Sequence, residues 1–171
     1  QYFNQPGNYR NGAEAVKVIL QKHGINLENA YIADGSGLSR HNLMSSELFM
    51  SVMRYVYQHD NELGLLSSFS IAGVDGTLQY RAGLRKSPFK GKIIAKSGSL
   101  KGVANLIGLV KSKQGDKLFV LMINGYNNEV NEEQSASNTP PKISVTSFEK
   151  AFFEKILDQA KSILGALHIK S

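Results

Sequence analysis

The sequence predicts an α+β domain in which an antiparallel sheet of three strands is covered by helices, the last of them C-terminal. Three observations predict it. Capped amphipathic segments fill about the first third of the chain, the apolar period shortens to that of strands beyond Gly91, and another amphipathic segment closes the chain. Helices flanking a run of consecutive strands must bury their apolar stripes against that sheet, and this is the α+β arrangement.

The first helix is read from Asn11, with asparagine at the cap, Glu14 three residues on to return a capping box, and Val16, Ile19 and Leu20 on one face before Gly24 ends it. Asn29–Ala33 reads as a short strand running into Asp34-Gly35-Ser36-Gly37, a turn too rich in glycine for a regular element. Ser45 caps a second helix to His59 or so, with Leu48, Phe49, Val52, Met53 and Val56 as its buried stripe. Residues 63–84 carry mixed signals. Lys92–Lys96, Val103–Lys111 and Lys117–Gly125 are the three strands, and Ser112-Lys113-Gln114-Gly115-Asp116 joins the last two as a hairpin loop, so a meander is the simplest topology. Residues 127–142 are polar, hold consecutive prolines and lack any period, which predicts a long mobile loop. Thr146 and Glu149 form a second capping box. The closing helix then runs to Leu164 or so, with Phe148, Phe152, Phe153, Ile156 and Leu157 available to cover one face of the sheet.

Composition narrows the chemistry. At 171 residues and 42% hydrophobic the chain can bury a core, so disorder is excluded. The absence of cysteine removes thiolate nucleophiles, iron–sulfur clusters and zinc ribbons. His23, His41, His59 and His168 have no metal-ligand spacing among them, and no dinucleotide or phosphate-cradling glycine motif exists. The longest apolar run, Leu118–Ile123, is far too short for a transmembrane helix. The net charge of +6 is unevenly spread: Arg81–Lys117 holds ten basic residues (Arg81, Arg85, Lys86, Lys90, Lys92, Lys96, Lys101, Lys111, Lys113, Lys117) and one acid, Asp116, a net of +9 that leaves −3 elsewhere. Such a segment is either a solvated lysine-rich face or the dock of an anionic partner, be it nucleic acid, a membrane surface or a carboxylate-bearing substrate. Phe89 is its one aromatic residue, so the interleaved stacking residues of a nucleic-acid-binding sheet are missing.

Two short patterns carry chemistry. Lys96-Ser97-Gly98 follows the apolar Lys92-Ile93-Ile94-Ala95. In serine acyl-transfer enzymes a Lys-Thr/Ser-Gly triplet edges the active site: the ammonium raises the local potential, the hydroxyl binds the substrate carboxylate, and glycine admits the substrate backbone. The N–H of Ser99 would then be one oxyanion donor. The second pattern is Tyr31–Asn42, YIADGSGLSRHN. Its Asp34-Gly35-Ser36-Gly37-Leu38-Ser39-Arg40 run resembles a signature of the low-molecular-mass class C penicillin-binding proteins, the D-alanyl-D-alanine carboxypeptidase/endopeptidase family of penicillin-binding protein 4 type. The resemblance continues through Gln58-His59-Asp60-Asn61-Glu62-Leu63, Gly76-Thr77-Leu78-Gln79-Tyr80-Arg81-Ala82-Gly83-Leu84 and Ala95-Lys96-Ser97-Gly98-Ser99-Leu100, and covers Phe3 to Asn124 and the final helix from Ser147.

This resemblance implies the serine penicillin-binding/β-lactamase-like transpeptidase fold and a periplasmic cell-wall hydrolase. Such an enzyme acylates a serine with the peptidoglycan stem peptide, then hydrolyses the acyl-enzyme, and β-lactams acylate the same serine. No cofactor and no metal are implied. Lys96, Ser97 and Gly98 match the third catalytic box, in which relatives more often carry threonine, and Ser99 and Leu100 continue it. Arg40 matches the arginine that faces the free acidic end of a diaminopimelate side chain, a carboxylate that a guanidinium fork suits. Lys101 stands where relatives often have glutamine, near the same end of the substrate. Asp34, Ser36 and Ser39 organise the turn.

One departure is an absence. Relatives place the nucleophile in S-x-x-K and complete the site with S-x-N. These residues contain no S-x-N, and their two S-x-x-K matches, Ser87-Pro88-Phe89-Lys90 and Ser147-Phe148-Glu149-Lys150, read as structural: Gly91 stops the first, and the second sits at a helix start. Both missing boxes precede this segment in relatives, so residues 1–171 are expected to be the C-terminal portion of the penicillin-binding domain. The family's sheet is five-stranded, so the N-terminal part of the same enzyme is the expected partner, covering an otherwise unpaired edge along Lys117–Gly125, and the segment is not expected to be an independent domain. Two other readings stay open: an inactive peptidoglycan-binding module of the same fold, and a basic nucleic-acid-binding domain.

Overall fold

The computed structural model of the chain describes residues 4, 7–126 and 143–168, with side chains of the last helix through residue 158. The loop expected at 127–142 lies outside the described residues. The chain divides into two compact units, Gln1–Leu63 and Gly64–Ser171.

In the first unit, α1 spans Tyr9–Lys22. Its cap is Asn8, whose Oδ1 accepts the Asn11 amide at 2.8 Å, so Asn11 lies inside the helix and the expected Asn11–Glu14 box does not form. Asparagine suits either position; the earlier start wins because each added residue contributes another helical hydrogen bond for the same nucleation cost. At the other end the amides of Gly24 and Ile25 reach the carbonyls of Gln21 and Leu20, a Schellman closure at the expected glycine. The strand expected at Asn29–Ala33 is reduced to one bridge between Tyr31 and Leu43. The cause is local: Asn42 Oδ1 takes the amides of Ala33, at 2.7 Å, and Asp34, at 3.3 Å, so a ladder cannot continue past Ile32. α2 spans Ser46–Gln58 and is capped by Ser45 Oγ on the Leu48 amide, as its sequence predicts, with Leu48 and Met53 buried. A short α3 follows at Asp60–Leu63.

The second unit is built on a four-stranded antiparallel sheet in the order β1 (Ser70–Ile71), β2 (Ile93–Leu100), β3 (Val103–Val110) and β4 (Lys117–Asn124). The meander of the three long strands agrees with expectation. β1 is the addition; two residues display no alternation, so the mixed 63–84 stretch could not reveal it. β2 also runs on to Leu100, which puts Lys96-Ser97-Gly98 inside the strand, not at its end.

Strand alternation sends Ile93, Ala95, Leu106, Val110, Phe119 and Leu121 to one face, where α4 (Val145–His168) lays Phe152, Phe153, Ile156 and Leu157 against them. Phe153 is fully buried and meets Phe119 edge to face, with centroids 4.9 Å apart. α4 takes its cap from Ser144, whose Oγ accepts the Ser147 amide at 3.1 Å. The Thr146–Glu149 box is therefore absent, and Glu149 is committed elsewhere: it is buried and receives both arms of the Arg81 guanidinium, Nε at 2.9 Å.

Candidate active site

The structure brings Lys96, Ser97, Gly98, Ser99 and Leu100 together on β2, and Lys101 follows in the tight turn to β3, where Leu100 pairs with Val103. Two bonds define which way this stretch faces. Ala72 donates to the Ile93 carbonyl from the β1 side, and Lys111 donates to the Lys92 carbonyl from the β3 side. Backbone groups alternate sides along a strand, so Ala95, Ser97 and Ser99 direct their N–H and C=O groups away from β3. β1 stops short of them, because its first residue, Ser70, stands opposite Ala95. Beyond Ala95 the outer side of β2 has no strand partner among the described residues.

The side chains arrange themselves around that open side. Lys96 is exposed, and its Nζ donates to the outward carbonyl of Ser97 at 2.7 Å. Ser97 Oγ lies 2.7 Å from Thr77 Oγ1. Thr77 Oγ1 lies 3.3 Å from Ser70 Oγ, which accepts the Thr77 amide at 3.1 Å. Gly98 is exposed, and among the described residues a Cβ built there would meet only Asn105 Cβ, at 4.0 Å. Ser70 and Thr77 were assigned no role on sequence grounds. The signal that could have found them is Asp75-Gly76-Thr77, a turn dipeptide followed by a hydroxyl: Asp75 Oδ1 takes the Ile71 amide and folds the chain back onto β1.

Arg40 belongs to the first unit, exposed at the end of a loop built on Asp34. The Asp34 carboxylate accepts from Asn42 Nδ2 at 2.8 Å and from Ser36 Oγ and the amides of Gly37 and Ser39 at 3.0 Å each. These donors, Asn42 foremost, hold its carboxyl below the usual carboxylate range against the desolvation that pushes the other way. Asp34, Ser36 and Ser39 are thus structural, as their sequence suggests.

The basic segment divides. Arg81 is consumed by Glu149. Lys92, Lys111 and Lys117 share the sheet end opposite Leu100, since Lys111 bonds to Lys92 and Val110 pairs with Lys117. Lys96 and Lys101 supply charge near the open side of β2, whereas Lys92, Lys111 and Lys117 lie at the far end of the sheet. The serine of Ser87-Pro88-Phe89-Lys90 is exposed in a run of turns, with no helix to stack Lys90 over it, and Ser147 serves the first turn of α4. Neither makes a nucleophile–lysine pair. Among the described residues no His/Cys/Asp/Glu cluster could hold a metal ion, and no helix is long and apolar enough to cross a membrane.

The chain is similar to several known proteins. Residues 1–140 match the model of the D-Ala-D-Ala carboxypeptidase 3 (S13) family. A D-alanyl-D-alanine carboxypeptidase of Haemophilus influenzae is 48% identical over 126 residues, 73% of this chain and 26% of that protein. The crystal structure of penicillin binding protein 4 from Haemophilus influenzae, solved with a bound β-lactam, superimposes with a TM-score of 0.80 at 41% identity, over 91% of this chain and 34% of that one. A predatory peptidoglycan endopeptidase from Bdellovibrio bacteriovorus shares the fold, with a TM-score of 0.62 at 24% identity over 93% of this chain and 38% of that one. The chain thus spans about a quarter of the length of the first curated relative and a third of the first solved structure.

Proposed function

The chain belongs to the D-Ala-D-Ala carboxypeptidase 3 (S13) family, and from that premise we propose that it supplies the third catalytic box of a serine-type D-alanyl-D-alanine carboxypeptidase/endopeptidase. The enzyme acts on peptidoglycan stem peptides through an acyl-enzyme, binds β-lactams and works in the periplasm. The observation that carries this reading is the open side of β2. Ser99 aims its N–H there, the position an oxyanion donor needs, and the Lys96 ammonium lies beside the same edge. Gly98 adds a second line of support. Glycine inside a strand costs about 0.5–1 kcal/mol relative to alanine, and among the described residues a Cβ at this one would meet Asn105 Cβ alone, at 4.0 Å, which leaves room for a substrate backbone to approach. Ser97 offers a hydroxyl to a substrate carboxylate, Leu100 and Lys101 extend the contact along the strand, and Arg40 reads a free diaminopimelate carboxylate. The nucleophile and the S-x-N box come from the N-terminal part of the same enzyme.

Labelling with a fluorescent penicillin tests this. The full-length enzyme is expected to label and the 171-residue chain alone not to; Lys96→Ala in the full-length enzyme slows labelling by roughly 10²-fold, the scale of losing a preorganised electrostatic contact. Arg40→Ala weakens chiefly those peptides that carry a free diaminopimelate carboxylate. Labelling of the 171-residue chain would overturn the assignment and make Ser87 or Ser147 a nucleophile. A second reading is an inactive peptidoglycan-binding module of the same fold, with the reactive serine lost and the polymer held through Arg40 and the strand at Lys96. It predicts a full-length protein that binds peptidoglycan and never labels.

A further inference from the structure

We propose that Thr77 is a positioning residue for the acylation step, fixing through a chain of hydroxyls the direction in which Ser97 offers its proton. The inference rests on the assignment of Lys96, Ser97 and Gly98 to the substrate-facing edge of β2. A hydroxyl has one proton to give and two lone pairs to receive. The Thr77 amide can only donate, and it donates to Ser70 Oγ at 3.1 Å. Ser70 can then pass its proton toward Thr77 Oγ1 at 3.3 Å, and Thr77 toward Ser97 Oγ at 2.7 Å. Taken alone, three hydroxyls in a row can point either way. A carboxylate at Ser97 is acceptor-only, so it selects the direction in which Ser97 receives from Thr77 and donates outward. Every hydroxyl proton in the chain then has an acceptor.

The surrounding backbone is built to hold this chain. Ser70 is on β1 opposite Ala95, two residues before Ser97 and on the same face of the sheet. Thr77 is in the 3₁₀ turn Gly76–Leu78. Gly76 between them has φ +52°, and a side chain there would collide with Ser70, whose Cβ would lie 3.0 Å from the added carbon. Glycine is the residue that lets the turn close on the Ser70 hydroxyl.

The test uses the full-length enzyme, with the acylation rate constant and the dissociation constant for benzylpenicillin measured separately. Thr77→Val is expected to slow acylation about ten-fold and Thr77→Ser to restore it to within about two-fold, the scale of one hydrogen bond in a polar chain. In a Ser97→Ala background Thr77→Val should cost nothing further, and it should cost nothing on a D-alanyl-D-alanine peptide whose terminal carboxylate is replaced by an amide. Equal losses in either control would show a purely structural role and overturn the proposal. Should Thr77→Val fail to fold, Ser70→Ala replaces it, with an expected slowing of about three-fold confined to carboxylate-bearing ligands; a loss that ignores the carboxylate is again the overturning result. If Lys96→Ala and Ser97→Ala both leave acylation unchanged, the underlying assignment of the box fails. If they slow it and Thr77→Val does not, the hydroxyl chain alone fails.

Discussion

Asp34 shows how much organisation one half-buried side chain can impose. Its carboxylate collects four donors from Ser36, Gly37, Ser39 and Asn42, and so sets the path of the loop that ends at Arg40. These bonds favour the charged form, and Asp34 titrates lower in the folded loop than in an unfolded chain. Their contribution is fully present above the unfolded value, about 3.9, and is lost as pH falls through the folded one. Carbon NMR of the Asp34 carboxyl should find a midpoint below about 3.9, and Asn42→Ala should move it up; an unmoved midpoint would mean that Asn42 is not its main partner. Glu149 is the opposite case, a carboxylate buried with Arg81 as its counter-ion. Glu149→Ala should cost about 3 kcal/mol in urea unfolding of the full-length enzyme, the lower end for breaking a buried pair, because Arg81 retains some contact with water. Local spacing alone pointed to a cap at Glu149. Its partner lies 68 residues away, and no local pattern distinguishes a cap from an ion pair made at that separation.

At the level of elements, β2 and β3 meet at a point with no tolerance. Gly108 pairs with Ala95, one residue before Lys96, and a Cβ at Gly108 would run into the Ile94 carbonyl oxygen and lie 2.7 Å from Ala95 Cα. Both obstacles are backbone, so relief requires the strands to part. Gly108→Ala should destabilise by about 1–3 kcal/mol, as overpacking does, and should slow β-lactam acylation although residue 108 lies on β3, on the other side of β2 from its open edge. Normal acylation at reduced stability would show that β2 holds its place independently of β3. The elements that were legible, α2 with its Ser45 cap and the three long strands with their hairpin, are written in contiguous residues. β1 is too short for a period. The starts of α1 and α4 were displaced because asparagine, serine and threonine recur near each helix start, and helix length made the choice. In the site, Lys96–Ser99 was readable as one uninterrupted motif. Thr77 was not, because its contact with Ser97 spans 20 residues and exists only once the turn after β1 has folded back.

Over the whole molecule, β4 is paired on one side, with β3, among the described residues. We infer that the N-terminal part of the enzyme supplies its other neighbour, since an eight-residue strand paired on one side leaves its outward backbone N–H and C=O groups open to pairing. Amide exchange tests this: β4 amides directed away from β3 should exchange fast in the 171-residue chain and slowly in the full-length enzyme. A sharp monomeric melt of the 171-residue chain, with all β4 amides protected, would refute it. The family was legible because its motifs are long and ordered along the chain; the charge was misleading because a linear count cannot show that Lys92 and Lys111 share the end of the sheet away from Leu100. The shortness of β1 has one more consequence. An extended peptide lying in the position that β1 leaves beside Ser97 and Ser99, as the proposed function requires, would be measured by the ladder as if by a ruler. Advancing it by a single residue turns every side chain to the opposite face. On the proposed function, which peptide bond reaches the nucleophile would be set by counting residues from the terminal carboxylate, and a chain that grips weakly but in step would be cut where a tighter one out of step would not.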